Sequence, residues 1–245
     1  LAHNFVRTVF EDSKGHLLIG TYIGIQMYDP ATDNFTPLAK LEDTGETLES
    51  NINSFIERKN GEIWVSGNVL CKLDIKDHLL TVRKVDIAVT SPGSLFEDKK
   101  QNVWMAKGEE GVYQLTPDNQ LTLHLSKDNG YVKSICEDQR GNIYVGSIRK
   151  GLFIYDKERK TFVPIDLKEK GELPVCFLYS GIPNKLYIGT DGKGVVIYNI
   201  RTHEISEYKF DNNYFDSGNS KIHSILKDNS GNLWLAVYQK GVILI

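Results

Sequence analysis

The sequence predicts an all-β fold, a β-propeller of six four-stranded blade repeats in which the last repeat is incomplete. The first observation is that six segments align along the 245 residues, with turn positions 46, 40, 40, 43 and 47 residues apart. That spacing suits a four-stranded blade and is too long for a leucine-rich repeat. The second is that apolar residues occur in short segments typical of β-strands, and no segment keeps a helical period. The turn positions are Gly15, Gly61, Gln101, Gly141, Asn184 and Gly231.

The first repeat shows the expected order of strands and turns. Its strands read FVRTVF, HLLIG, IQMYD and FTPL, and the turn EDSKG, the loop TYIG and the turn PATDN separate them. We interpret residues 1–245 as one propeller domain. Its repeats extend over about residues 1–45, 46–88, 89–128, 129–170, 171–215 and 216–245.

Each repeat turns between its first two strands at a residue that favours a left-handed backbone. Glycine adopts a positive φ without strain, and Asn184 is the usual substitute. Gln101 suits such a turn poorly, so the third turn is predicted to differ. Three positions earlier, four repeats carry an aspartate that can accept backbone N–H groups and close the turn. These aspartates are Asp12, Asp98, Asp138 and Asp228.

Large and small residues recur together in the second strand. A single sheet cannot bury both of its faces, and radial stacking of blades solves this problem. A large side chain would fill the space between neighbouring blades, and a small residue two positions later would fit where the blades converge. The large residues are Leu18, Trp64, Trp104, Tyr144, Tyr187 and Trp234. The small residues are Gly20, Ser66, Ala106, Gly146, Gly189 and Ala236.

The sixth repeat reaches GVILI and has no counterpart of the fourth strand. Propellers usually complete one blade with strands from both ends of the chain, and here the first repeat begins at its own first strand. We therefore expect further repeats outside this segment, which would make the chain part of a larger propeller array. An imperfectly closed ring is the alternative.

Composition excludes some classes of function. The formal net charge is −3, which argues against a general nucleic-acid binder because such a protein needs a basic stripe. No stretch approaches the roughly 20 apolar residues that span a bilayer. Three widely spaced cysteines, Cys71, Cys136 and Cys176, do not form a disulfide framework, and we expect buried thiols.

The repeat can be written I-x-E-D-x-x-G-x-[LI]-W-[IV]-G-T, followed by a loop and G-[LV]-x-x-Y-D. LFEDKKQNVWMA, SICEDQRGNIYVGS and HSILKDNSGNLWLAV carry it most clearly, whereas the fifth unit, LYSGIPNKLYIGT, has lost the Glu-Asp pair. The repeat resembles the two-component-regulator propeller repeat, which occurs in extracytoplasmic sensor regions of bacterial hybrid two-component systems.

The resemblance implies a ligand-sensing, periplasmic propeller in a receptor anchored in the inner membrane. In that family about twice as many repeats form two propellers, and a β-sandwich, a membrane span, a histidine kinase and a DNA-binding regulator follow. The implied ligand is an oligosaccharide or another glycan fragment, whose binding would alter a homodimer. The expected partners in the same chain are further propeller repeats and the β-sandwich, and none of the kinase chemistry lies in this segment.

Two sets of residues are candidates for ligand binding. The first lies in loops at the face where propellers usually bind ligands, because aromatic rings stack on sugars and charged groups bond to hydroxyls. The second occupies one aligned, often polar position of the first strand, which should lie near the mouth of the channel. Together the candidates are Arg7, Tyr22, Asn53, Lys133, Arg149, Asp191, Lys193, Tyr214, His223 and Tyr238.

We expect no catalytic residue, metal or cofactor in this segment. The six histidines lack the paired spacing of metal ligands, and no G-x-S-x-G nucleophile motif is present. One rival interpretation is a propeller enzyme, either a glycosidase or a lyase resembling the streptogramin lyases, with His223 as the only obvious central base. Another is a purely structural propeller that docks a further domain.

Overall fold

The computed structural model describes residues 1–125, 130–167, 173–208 and 220–244. These residues form 24 strands in six sheets, and no helix occurs among them. The fold is therefore all-β and of the β-propeller class, as the sequence predicts. In the part of the chain that the structure describes, nothing helical is long and apolar enough to cross a membrane.

The chain divides into two compact units. One comprises Leu1–Met105 with Thr116–Leu121, and the other comprises Ala106–Leu115 with Thr122–Ile245. The first unit contains the sheets built from β1 (Val6–Glu11), β2 (Leu17–Thr21), β3 (Ile25–Asp29), β4 (Asn34–Phe35), β5 (Lys40–Leu41), β6 (Ser54–Glu57), β7 (Ile63–Ser66), β8 (Leu70–Lys76) and β9 (Leu79–Lys84).

The boundary between the units passes through the third sheet. That sheet consists of β10 (Leu95–Glu97), β11 (Val103–Lys107), β12 (Gly111–Leu115) and β13 (Leu121–Leu125). The second unit contains β14 (Val132–Glu137), β15 (Ile143–Ser147), β16 (Gly151–Asp156), β17 (Thr161–Pro164), β18 (Val175–Ile182), β19 (Lys185–Thr190), β20 (Val195–Asn199), β21 (Ile205–Glu207), β22 (Ile222–Lys227), β23 (Leu233–Val237) and β24 (Gly241–Leu244).

Within the described residues, four sheets have four strands in sequential order. The second sheet gains a fifth strand, because β5 from the connector of the first repeat pairs in parallel with β9. The predicted strand FTPL shortens to Asn34–Phe35, since Pro37 has no N–H to give to a strand ladder. The sixth sheet has the three described strands β22, β23 and β24.

The turn aspartate accepts several hydrogen bonds at once. Asp98 is 4% exposed and accepts the backbone N–H groups of Lys100 and Asn102, the side-chain amide of Asn102 and the indole N–H of Trp104, at 2.8–2.9 Å. Charged acceptors make the stronger hydrogen bonds of proteins. The carboxylate thereby ties the turn to the large residue of the second strand.

The third turn does not differ from the others, so that prediction is wrong. Gln101 has a φ of 65° and donates its N–H to the carbonyl of Asp98 at 3.0 Å, as Gly15 does to Asp12. The carboxylate network imposes the left-handed backbone at this position although glutamine rarely adopts it. Asn184, with a φ of 58°, has the predicted left-handed conformation.

The small residues of the second strand face the following sheet at very short range. A Cβ atom added to Gly146 would lie 2.3 Å from Val175, and one added to Gly189 would lie 2.8 Å from Ile222. The predicted role of the small positions is confirmed here, because any larger residue would push adjacent sheets apart. The large residues Leu18, Tyr144 and Tyr187 lie in apolar clusters with residues of the next sheet.

We predict that Asp98→Ala lowers the free energy of unfolding by about 3 kcal/mol, because buried donors lose a charged acceptor. Asp228 is the matched control, since it accepts bonds from Asn232 and Trp234 in an exposed turn. Asp228→Ala should cost less, as water can replace the carboxylate there. Urea denaturation of both variants tests this, and equal losses would contradict it.

Candidate functional site

The polar position near the start of the first strand is a β-bulge in four sheets. Pairing with the second strand shifts there by one residue, so that one residue has no partner opposite. A bulge takes its side chain out of the regular alternation of the strand and re-aims it. The residues at the four bulges are Arg7, Lys133, Cys176 and His223.

In the first unit this position forms a chain of hydrogen bonds across three repeats. The Nη2 atom of Arg7 donates to Oδ1 of Asn53 at 3.0 Å. The amide of Asn53 in turn donates to the carbonyl of Pro92 at 3.0 Å, next to the aligned residue of the third repeat. The structure therefore brings two predicted residues, Arg7 and Asn53, into direct contact.

In the second unit the same position gathers charged and polar groups. The N–H of Leu178 donates to Ser134 Oγ at 3.0 Å, which holds β18 beside β14. Burial lowers the pKa of His223, the charges of Lys221 and Lys133 lower it further, and Asp191 acts in the opposite sense. Lys133, Lys221 and Asp191 are thus the charged groups that act on His223.

Contacts between loops complete this second group. Lys221 Nζ lies 2.5 Å from Asp191 Oδ2, and the hydrogen bond from that ammonium to the carboxylate raises the pKa of Lys221. The rings of His223 and Tyr238 lie 5.6 Å apart, and Lys240 Nζ donates to Ser220 Oγ at 3.0 Å. We call Lys133, Asp191, Lys221, His223, Tyr238 and Lys240 the lysine cluster.

A groove in the first unit lies between the β2–β3 loop, the connector to β6 and the β7–β8 loop. Its first part is a cavity of about 750 Å³ lined by Tyr22, Ile23, Leu38, Thr47, Glu49, Ser50, Asn51 and Asn68. Its second part, of about 650 Å³, shares Thr47, Glu49, Ser50 and Asn68 and adds Leu41, Glu46, Leu48, Val69 and Lys84. The shared residues make the two parts one continuous groove.

The groove forms because β5 places the connector at the edge of the second sheet. The connector then turns back, and Leu48 donates its N–H to the carbonyl of Ala39 at 2.8 Å. Ser50 Oγ accepts the N–H of Asn68 at 3.0 Å. This close approach of the connector to the β7–β8 loop requires glycine at position 67, since an added Cβ would lie 2.5 Å from Ser50 Oγ.

Two groups in the groove are suited to a ligand. Tyr22 is 52% exposed, and its ring stacks on His3 at 6.1 Å and contacts Phe5 edge-on at 5.7 Å. The Oδ1 atom of Asn51 is buried and accepts no hydrogen bond from any residue that the structure describes. The exposed ring of Tyr22 and the side chain of Asn51, whose Oδ1 is buried, therefore line the same cavity.

Of the remaining predicted residues, Arg149 and Lys193 make other contacts, and Tyr214 is not described. Arg149 forms an exposed ion pair with Glu109 at 3.0 Å. The N–H of Lys193 donates to Thr190 Oγ1 at 3.0 Å in the loop that follows Asp191. Tyr214 lies outside the described residues.

Sequence reasoning found Tyr22 but missed the rest of the groove. The lining residues Thr47, Ser50 and Asn51 belong to the connector between the first two repeats. A signal was present, since the first turn spacing is 46 residues and the next two are 40. The extra residues form this connector. Lys221 was also missed, because it lies one residue before the first strand of the sixth repeat.

The three cysteines are free and buried, as predicted. Burial raises the pKa of the Cys71 thiol to about 11 and that of Cys136 to about 12, and it also raises that of Cys176. Among the described residues, no three His, Cys, Asp or Glu side chains are grouped so that they could hold a metal ion.

The family model of the two component regulator propeller matches residues 1–22, 126–149 and 216–239. These segments contain the turn motifs of the first, fourth and sixth repeats. The resemblance seen in the repeat is thereby confirmed for three of the six units. A comparison with curated protein sequences gave no match.

Solved structures share the fold at low identity. The extracellular domain of BT4673 from B. thetaiotaomicron, described as a hybrid two component system, has a TM-score of 0.74 at 17% identity over 99% of this chain and 33% of that domain. An inactive virginiamycin B lyase from Staphylococcus aureus, solved with quinupristin, has a TM-score of 0.74 at 13% identity over 99% of this chain and 81% of the lyase.

PorZ of Porphyromonas gingivalis, a surface component of the type-IX secretion system, has a TM-score of 0.73 at 13% identity over 98% of this chain and 38% of its own. Identities this low show the propeller fold alone. This chain spans about a third of the length of the BT4673 domain.

We predict that the thiols of the folded protein react slowly. A pKa near 12 leaves Cys136 with about a thousandfold less thiolate at pH 8 than a thiol of pKa 9. Ellman's reagent should therefore titrate three thiols in guanidinium and react at least about a hundredfold more slowly with the native protein. A native thiol that reacts within seconds would contradict the buried positions.

Proposed function

We propose that this chain is a ligand-sensing propeller of a periplasmic receptor of the hybrid two-component type and that it binds an oligosaccharide in the groove. The observation that carries the proposal is the pairing of an exposed Tyr22 ring with the unsatisfied Oδ1 of Asn51 in one cavity. The chain itself is proposed to be non-catalytic.

The chemistry of the groove suits a neutral sugar. Hydroxyl and amide side chains of Thr47, Ser50, Asn51 and Asn68 line it, together with the carboxylate of Glu49. Such groups exchange hydrogen bonds with sugar hydroxyls, and an aromatic face packs against the C–H groups of a pyranose ring. A buried acceptor without a donor costs about 1–3 kcal/mol, and a ligand hydroxyl recovers that cost if the Asn51 side chain turns its Oδ1 toward the groove.

The size of the groove favours an oligosaccharide over a single sugar. Its two parts measure about 750 and 650 Å³ and share four residues, within the range of cavities that enclose small ligands. The three matched repeats support a receptor of the two-component type. An anchor in the inner membrane, a β-sandwich, a kinase in the rest of the protein and a homodimer follow from the same resemblance as proposals.

We predict that one of the neutral hexasaccharides of the malto, cello, xylo or inulin series stabilises this chain. A ligand at 100 times its Kd adds about 2.7 kcal/mol to the free energy of unfolding, which raises Tm measurably. Tyr22→Ala and Asn51→Ala should each weaken the binding about tenfold, or 1.4 kcal/mol, as measured by calorimetry.

Tyr131→Ala is the matched control, because Tyr131 is 40% exposed but does not line the groove. It should leave the affinity unchanged. Equal losses in the three variants, or no stabilisation by any hexasaccharide, would overturn the proposal. Cleavage of the sugar, detected by mass spectrometry, would favour the glycosidase alternative, and sugar-independent docking of another domain would favour the structural one.

We also propose that further blade repeats pack on the sixth sheet. Trp234 is 39% exposed, whereas the equivalent Trp104, Tyr144 and Tyr187 are at most 5% exposed. Leu226, Val242 and Leu244 of the same sheet are exposed as well. An apolar face of this kind fits the next blade of the same pattern, since the earlier large residues pack on the sheet that follows them.

Trp234 should therefore report on this packing. It should account for most of the acrylamide-quenchable fluorescence of this chain, because Trp64 and Trp104 are buried, and Trp234→Phe should remove that component. In a longer segment of the protein that contains the next repeat, quenching of Trp234 should fall severalfold. Unchanged quenching in that longer segment would contradict the proposal.

A further inference from the structure

The lysine cluster is built from several separate segments of the second unit. Lys133 comes from β14, Asp191 from the β19–β20 loop, Lys221 and His223 from the start of β22, and the last two members from the loop after β23. Backbone bonds join the segments of Asp191, Lys221 and Tyr238: Tyr238 N donates to the Lys221 carbonyl at 3.0 Å, and Asp191 and Lys221 form an isolated β-bridge. The cluster is held by backbone structure rather than by side chains alone.

The charge of the cluster differs in sign from that of the chain. The cluster contains three lysines and one aspartate, whereas the whole protein carries a net charge of −3. Asp191 is engaged by Lys221 at 2.5 Å, which leaves the balance of the group positive. Local positive charge focused at one position raises the concentration of anions there.

The cluster also offers an aromatic surface. Tyr238 is 55% exposed, and its ring lies 5.6 Å from the imidazole of His223. A sugar ring can pack on the tyrosine while its charged substituent faces the ammonium and imidazole groups. Arrays of ammonium groups and imidazole are typical binders of carboxylate and sulfate.

We infer that the lysine cluster is a second binding site, distinct from the groove, for a sugar that carries a carboxylate or a sulfate group. This site does not depend on the groove or on the proposed sensing function, because all its residues belong to the second unit. A glycan with both neutral and acidic residues would have a complementary site for each kind.

The site makes binding dependent on pH through His223. The groups that act on this imidazole are Lys133 from β14, Lys221 from the residue just before β22 and Asp191 from the β19–β20 loop, and Tyr238 lies beside it. Burial and the two lysines hold its pKa below the usual value. A bound anion favours the imidazolium, so the affinity should rise as the pH falls through the pKa of His223.

The test is an NMR titration of the His223 imidazole in the full chain, with glucuronate, glucose 6-sulfate and glucose as probes. Glucuronate or the sulfate should raise the pKa of His223, and whichever acts more strongly identifies the preferred anion. Glucose should leave it unchanged. Equal shifts with glucose and with the charged sugars would overturn the inference.

Lysine variants locate the site. Lys133→Gln and Lys221→Gln should each weaken the binding of the charged sugar about tenfold, and a rise in salt from 50 to 500 mM should weaken it further, on the order of severalfold. Lys227→Gln is the control, because Lys227 is exposed at the other end of β22. Equal effects of Lys133→Gln and Lys227→Gln would show general charge attraction and contradict a built site.

Discussion

The contact on which the structure depends is the close approach of a second strand to the start of the following sheet, which occurs at Gly20, Gly146 and Gly189. A Cβ atom at Gly20 would lie 2.6 Å from Ile52, and one at Gly146 would lie 2.3 Å from Val175. No side chain can occupy those positions, so the bulk of Ile52 and Val175 fills them instead. Burial of this kind supplies the apolar area that a four-stranded sheet cannot obtain alone. In the third, fourth and sixth repeats, the turn carboxylate also accepts a hydrogen bond from the large residue of the second strand, which is Trp104, Tyr144 or Trp234.

This scaffold leaves the polar surfaces to residues that take no part in blade packing. The groove arises where the connector after the first repeat is long enough to cross the edge of the second sheet. The lysine cluster arises where bulges and loops turn side chains out of the sheets. The two surfaces differ in chemistry because one has amides and hydroxyls and the other has ammonium groups. A single fold therefore carries both proposed sites, one lined by neutral polar groups and one by cationic groups.

The sequence predicts the packing well because packing leaves a periodic pattern. Asp98, Trp104 and Gly146 each have a repeated role, and alignment of the six units reveals it. Gln101 was misjudged because propensity is local, whereas the Asp98 network that fixes its backbone is read only from the folded turn. The site is harder to predict, since Asn51 and Lys221 occupy one aligned position whose residue type changes from repeat to repeat. Tyr22 could be found because it is an aromatic residue in a loop of the expected binding face, and His223 because its aligned position is often polar.

The bulges determine which positions of such proteins can be substituted during evolution. A residue that is extra to the ladder has no cross-strand partner, so its replacement leaves the pairing of the sheet intact, and at the exposed positions Arg7, Lys133 and His223 it leaves the core packing intact as well. Cys176 is the buried exception. The four bulge residues differ in size and chemistry, although the strands around them keep the same pairing. Ligand specificity can change through substitutions at these positions, because the residues that stabilise the fold lie elsewhere. A library of substitutions confined to them would sample new ligands on an unchanged framework.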